Sequence, residues 1–248
     1  MSAYASLAPL YDDLTNDVDY KQFADFYEQI FNKRGKTVKT LLDVGCGTGT
    51  LTCIMAQRGY EMIAADSSVD MLCVAREKAA ELQNAAQPLF LCQSMTELDL
   101  YGTVDAAVSC LDAVNHLPPE DMSDFFELLH LFIEQGGLFI FDINTPERLR
   151  ALDGYTSVDE DEDKLCLWRA DFDEEENALF YGMDIFTRRG RLWQRSFEEH
   201  IEYAHSPEKL KTQLEEAGFI NVELCADGPQ HELGRLFIIA ENTCGQKR

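Results

Sequence analysis

Apolar residues recur along the chain in two rhythms, and the two alternate. In DYKQFADFYEQIFNKRG, Tyr20, Phe23, Tyr27 and Ile30 follow helical spacing, with Asp19 placed to cap the start and Gly35 to end it. KTLLDVG is an apolar run closed by glycine. TLTCIMAQRG behind it sets Leu51, Ile54 and Met55 on one helical face, with Gly59 as the stop. EMIAAD is a short strand ending at Asp66. SSVDMLCVAREKAAELQ reads as a helix with a capping pattern from Ser67 to Asp70 and with Leu72, Ala75, Ala79 and Leu82 on one face. PLFLCQS and VDAAVSC are strands, PPEDMSDFFELLHLFIEQGG is a helix stopped at Gly136, and GLFIFDIN is another strand. Continuously apolar strands separated by helices predict a parallel sheet covered on both faces, a doubly wound α/β fold with right-handed crossovers.

From about Pro146 the texture changes. Acidic clusters, VDEDED and DFDEEEN, surround the strand-like segments KLCLWRADF, ALFYGMDIF and RLWQRSFEEHIEYA. Trp193, Arg195, Phe197, Glu199, Ile201 and Tyr203 alternate and so share one face. This predicts a three-stranded antiparallel cap over residues 148–204, inserted into a main domain of residues 1–147 and 205–248, with the acidic clusters as solvated loops. SPEKLKTQLEEAGF resumes the main domain as a helix capped by Ser206 and stopped at Gly218. NVELCAD and RLFIIAEN then close the sheet as an antiparallel hairpin.

Charge narrows the partners. The 248 residues carry 45 acidic against 21 basic side chains, a formal net charge of -24. That field repels nucleic-acid phosphates and anionic lipid, so neither is an expected partner. No apolar run approaches the ~20 residues of a membrane span, and the N-terminus lacks the basic and apolar blocks of a signal peptide. The 8 cysteines form no C-x-x-C pair and several sit in apolar runs, as expected of reduced thiols in a cytoplasmic protein. Nothing here specifies an oligomeric state. No metal site is expected: His200 and His205 are five apart and read as ordinary strand-end residues.

The candidate chemistry begins at LLDVGCGTGTL, where Gly45, Gly47 and Gly49 alternate after an apolar strand. Ligands of open α/β sheets bind at such a strand-to-helix turn. A dinucleotide fingerprint needs G-x-G-x-x-G, but here Thr50 stands in place of the third glycine, and there is no G-K-[ST]. Asp43 is a carboxylate near the end of a buried strand, costly unless it meets donors or a cation. An ammonium- or sulfonium-bearing cofactor suits it better than a pyrophosphate.

LLDVGCGTGTLT resembles motif I of the class I S-adenosylmethionine-dependent methyltransferases. The resemblance spans about 190 residues by alignment of elements. It implies a Rossmann-like sheet of seven strands and S-adenosyl-L-methionine as cofactor, held by Asp43, Gly45, Cys46, Gly47, Thr48 and Gly49. AADSSVDML resembles the segment whose acid takes the ribose hydroxyls, which points to Asp66 and to its neighbours Ser67 and Met71. FLCQSMTELDL resembles the adenine-contacting motif and nominates Ser94, where the family often has an acid, and Met95. VDAAVSCLDAVNHL resembles the stretch bordering the methyl donor and nominates Cys110 and Leu111. Asp112, Asn115 and His116 follow as catalytic candidates. YASLAPLYDDL resembles the lid of small-molecule members; Tyr4, Leu7, Tyr11 and Leu14 are spaced for one helical face, and Tyr11 is nominated to reach over the cofactor.

Methyl transfer is an in-line displacement, in which positioning can lower a barrier by ~7–11 kcal/mol. The cap resembles that of methyltransferases acting on metabolite-sized amines and sugars. Its acidity suits an amine-bearing small-molecule acceptor, and Tyr155, Trp168, Tyr181 and Trp193 are candidates to line that pocket. Three alternatives stay open. RNA or protein could be methylated, with Arg188, Arg189, Arg191 and Arg195 as phosphate contacts, or the chain could be a non-catalytic cofactor-binding module. A nicotinamide dehydrogenase is opposed by the glycine spacing.

Overall fold

The computed structural model describes residues 7–229 and 233–243. Tyr4 and Cys244 lie outside them. The helices are α1 Tyr11–Leu14, α2 Tyr20–Lys33, α3 Thr50–Gln57, α4 Val69–Ala80, α5 Met122–Phe132, α6 Pro146–Ala151 and α7 Pro207–Ala217. The strands of the main sheet are β1 Thr40–Val44, β2 Glu61–Asp66, β3 Leu89–Cys92, β4 Val104–Ser109, β5 Ile133–Asn144, β10 Phe219–Cys225 and β11 Arg235–Asn242. They run in the order β10-β11-β5-β4-β1-β2-β3. β3, β2, β1, β4 and β5 pair in parallel, while β11 is antiparallel to both of its neighbours. The doubly wound fold with a closing antiparallel hairpin is therefore present.

Alternation along the strands builds two cores. Leu42, Val44, Phe139 and Phe141 face Phe125, Phe126, Leu129 and Leu214 of α5 and α7. Leu41, Val108, Leu138 and Ile140 face Phe23, Tyr27, Phe31 and Met55 of α2 and α3. Strands buried on both faces are uniformly apolar for this reason. Asp43 interrupts the run, wholly buried.

Some boundaries differ from the sequence expectation. Ser68, not Ser67, caps α4 by accepting the Met71 N–H (3.3 Å). α5 ends at Phe132 and β5 begins at once, so Gly136 (φ +77) kinks a strand rather than stopping a helix. The cap has four strands: β6 Tyr155–Glu160, β7 Lys164–Asp173, β8 Ala178–Arg189 and β9 Leu192–Tyr203, in that order. The additional one, β6, holds part of the first acidic cluster. It lies at a sheet edge with nearly every residue exposed, so it carries no apolar alternation to read. A charged edge also discourages pairing with another chain.

Candidate active site

The order of strands reverses between β1 and β4, and a cleft of about 420 Å³ opens beyond their carboxyl ends. Its floor is the glycine turn after β1. Gly47 lines the cleft with φ +53, and a Cβ built on it would meet nothing within 4 Å, so the open side faces the cleft. Gly49 (φ +71) serves packing instead: its Cβ would lie 2.9 Å from that of Ala75 on α4.

Asp66, at the end of β2, receives the Gly47 N–H on Oδ2 and the Ser68 N–H on Oδ1, each at 2.8 Å. Burial pushes its carboxyl up, and these two amides pull it back part of the way. Each oxygen keeps a lone pair for a further donor. Met71, Ser94, Met95, Cys110 and Leu111 line the sides with Ser67, and Tyr11 of α1 lines the cleft as well. Ser94 Oγ donates to Glu97 Oε2 (3.1 Å).

Four nominated positions support the turn from behind and do not line the cleft: Asp43, Cys46, Thr48 and Gly49. Asp43 accepts from the Thr52 hydroxyl of α3, and its Oδ1 has no hydrogen-bond partner. Burial pushes its carboxyl up to about 7. Thr48 donates to Asp12 Oδ1 (2.6 Å), and Lys78 of α4 pairs with Asp12 at 2.7 Å, fastening α1 onto the turn.

The ceiling is β9, contributing Glu199, His200, Ile201 and Tyr203. It is the free edge of the cap sheet, and the segment after β4 covers that edge. Asn115 Nδ2 donates to Tyr203 O and to Asn144 O, and its Oδ1 accepts the Asn144 N–H, all at 3.0 Å. His116 Nδ1 lies 2.8 Å from Ile201 O. A carbonyl only accepts, so in the neutral ring Nδ1 holds the proton and Nε2 the lone pair. Of the three catalytic candidates, His116 alone lines the cleft. Asn115 is fully buried and satisfied by backbone, and Asp112 accepts from Arg235 (2.8 Å).

Sequence reasoning overlooked several groups. His200, read as a strand-end residue, stands in the cleft wall, and burial pushes its imidazole down to about 4. Its ring lies 5.4 Å from that of Tyr181, which stacks on Trp168. None of Tyr155, Trp168, Tyr181 and Trp193 lines the cleft: Tyr155 and Trp193 are half exposed on opposite faces of the cap, and Trp168 and Tyr181 pack against Leu7, Cys166, Met183 and Ile185. Glu202 is buried beside Asn144 Nδ2 (2.8 Å). One oxygen each of Asp112 and Glu202 and a ring nitrogen of His116 lie within 4.8 Å of one another, close enough to hold a cation. Arg235 already supplies positive charge to Asp112. The alternation and loop chemistry of the sequence carry no sign of these long-range meetings. Arg195 Nε bonds Asp184 (2.6 Å), and Arg188 faces Asp163 (4.0 Å), so these hairpin arginines are engaged with acids.

The cleft suits the cofactor that the motif implies. It joins a carboxylate with spare lone pairs to a turn that presents only Gly45 and Gly47 to the cleft, thioether and aliphatic walls, and an orphaned buried acid beneath. No described lining residue is a lysine or arginine that would repel a sulfonium.

Comparisons with known proteins agree. A family model described as a methyltransferase domain matches residues 41–137. The putative methyltransferase YqeM of Bacillus subtilis (strain 168) is 28% identical over 248 residues, covering 97% of each chain. The crystal structure of an S-adenosylmethionine-dependent methyltransferase from Clostridium acetobutylicum ATCC 824 superposes with a TM-score of 0.84 at 27% identity, covering 97% of this chain and 99% of that one. CalS10, an amino pentose methyltransferase from Micromonospora echinaspora solved with S-adenosylmethionine bound, shares the fold at 20% identity. Its TM-score is 0.76, over 94% of this chain and 97% of its own. With the turn, the acid at the end of β2 and the strand order in place, these likenesses support a class I S-adenosylmethionine-dependent methyltransferase.

Proposed function

We propose that the enzyme methylates a nitrogen, or an oxygen, of a small amine-bearing molecule held between the glycine turn and β9. The observation that carries this reading is the lining of the cleft. Its described charged residues are Asp66 on the floor and Glu199 on the ceiling, joined by His116 and His200. Such walls attract a protonated amine and disfavour phosphates and carboxylates. The amino pentose activity of CalS10 supports the same substrate class.

S-adenosylmethionine, when bound, supplies an activated methyl on a sulfonium. Asp66 would receive the ribose hydroxyls, a charge-assisted arrangement, while Gly47 admits close approach and Met71 and Met95 flank the base. Asp43, Cys46, Thr48 and Gly49 would shape the turn from beneath, and Tyr11 would exclude water from above. An ammonium nitrogen has no lone pair, so it must lose a proton before it can attack. His116 Nε2 is the lone pair to accept it. Asn115 holds β9 in place beside it. No cation is required for this step. Seven cysteines stand free among the described residues, which supports a reducing, cytoplasmic setting.

A panel of small primary and secondary amines, amino sugars included, incubated with the cofactor and scored for S-adenosylhomocysteine release, tests the reading. Turnover of such amines is expected. Turnover confined to RNA or protein would refute it, and cofactor binding without any turnover would favour a non-catalytic module.

A further inference from the structure

Two consecutive residues after β4 adopt a left-handed backbone, which the side chain of the first opposes. Leu111 has φ +56 and Asp112 φ +52, the left-handed region that a leucine avoids. Such residues persist where their surroundings over-determine them, and they cluster at functional sites. One carboxylate does the holding. Asp142 of β5, wholly buried, accepts the Leu111 N–H on Oδ1 (2.9 Å) and the Asp112 N–H on Oδ2 (3.0 Å). Arg235 of β11 closes the frame, donating from Nη1 to Asp142 and to Asp112 Oδ1.

Asp112, Asp142 and Arg235 do not line the cleft, whereas Cys110, Leu111, Ala113 and His116 do. The frame therefore lies directly behind the wall that faces the floor of the cleft. A buried ion pair is weak evidence for stability, because apolar residues of similar volume often serve as well or better. A geometric duty explains its presence more directly.

We propose that Asp142 and Arg235 are positioning residues. They fix Leu111 and Asp112 in the left-handed conformation and so set where Leu111 meets the cofactor. The proposal rests on reading this cleft as the cofactor site.

A double-mutant cycle tests it. Asp142→Asn and Leu111→Gly are made singly and together, and the Kd for S-adenosylhomocysteine is measured by calorimetry. Glycine adopts a positive φ without help. Asp142→Asn should weaken binding about tenfold in the parent background and less than about threefold beside Leu111→Gly, since coupled sites are not additive. Equal losses in both backgrounds, or a folded Asp142→Asn protein that binds like the parent, would overturn the proposal. If Asp142→Asn fails to fold, recovery of folding on adding Leu111→Gly supports it. If neither folds, Arg235→Lys is put through the same cycle, where non-additivity supports the proposal and additivity overturns it. Absence of binding by the parent protein would refute the cofactor reading, and this inference with it, before any substitution is made.

Discussion

The floor and the ceiling of the cleft are built in different ways. The floor comes from neighbouring pieces of chain, residues 43–49 and 66–71, and its contacts start from backbone donors: Gly47 N–H and Ser68 N–H to the Asp66 carboxylate, Gly45 N–H to Ala65 O. The ceiling comes from a strand more than a hundred residues later. Side chains fasten it: Asn115 to Tyr203 O, His116 to Ile201 O, His205 to Leu117 O and Asn144 to Glu202. A backbone-built floor tolerates little change and suits an invariant cofactor. A ceiling hung on side chains can vary with the acceptor while the sheet beneath stays fixed.

Substitutions should separate the two halves. His116→Gln removes the proposed base and should lower kcat about 10²–10⁴-fold while leaving S-adenosylhomocysteine affinity near that of the parent. A matching loss of cofactor affinity would erase the division. Glu199→Gln should raise KM for a cationic amine about tenfold, the scale of one charge-assisted contact, with kcat little changed and no effect on neutral acceptors.

Stability against pH gives a subtler contrast. Burial raises Asp43 under the floor to about 7 and raises Glu202 behind the ceiling well above the carboxylate range. Burial also lowers His200 and His205 from the ordinary 6.5 to about 4. The native state keeps protons on the acids that the unfolded chain has released, so their contribution is lost as pH rises through the folded values. It refuses protons on the histidines, so theirs is lost as pH falls from 6.5 toward 4. Below 6.5 the two trends oppose each other; above it only the acids act. The Tm should therefore decline as pH rises from 6.5 past neutrality, and Glu202→Gln should flatten that decline. A chelator should change turnover least, by less than about twofold, because Arg235 already balances the Asp112 side of the cluster.

The two halves also differed in how far the sequence disclosed them. The floor was legible because its chemistry is local: alternate glycines, an acid closing the next strand, and apolar runs that reveal the sheet. Ser67 and Ser68 show the limit of that reading, since either could cap α4 and only geometry sent one to the helix and one to the cleft. β6 went unread because an edge strand exposed on both faces carries no period. Asn115 has a composition suited to catalysis but is used to hold an edge strand, while Asp142, Arg235 and Glu202 meet only after the chain has folded. Partners separated by 93 residues, as Asp142 and Arg235 are, leave no local pattern.

The central claim is that the nucleoside of S-adenosylmethionine lies on the glycine turn with its ribose held by Asp66. Calorimetric titration of S-adenosylhomocysteine into the parent and into Asp66→Ala tests it most directly. With two hydrogen bonds to a charged group removed, the affinity should fall at least about a hundredfold. An Asp66→Ala protein that binds as tightly as the parent, or a parent that does not bind at all, would contradict it.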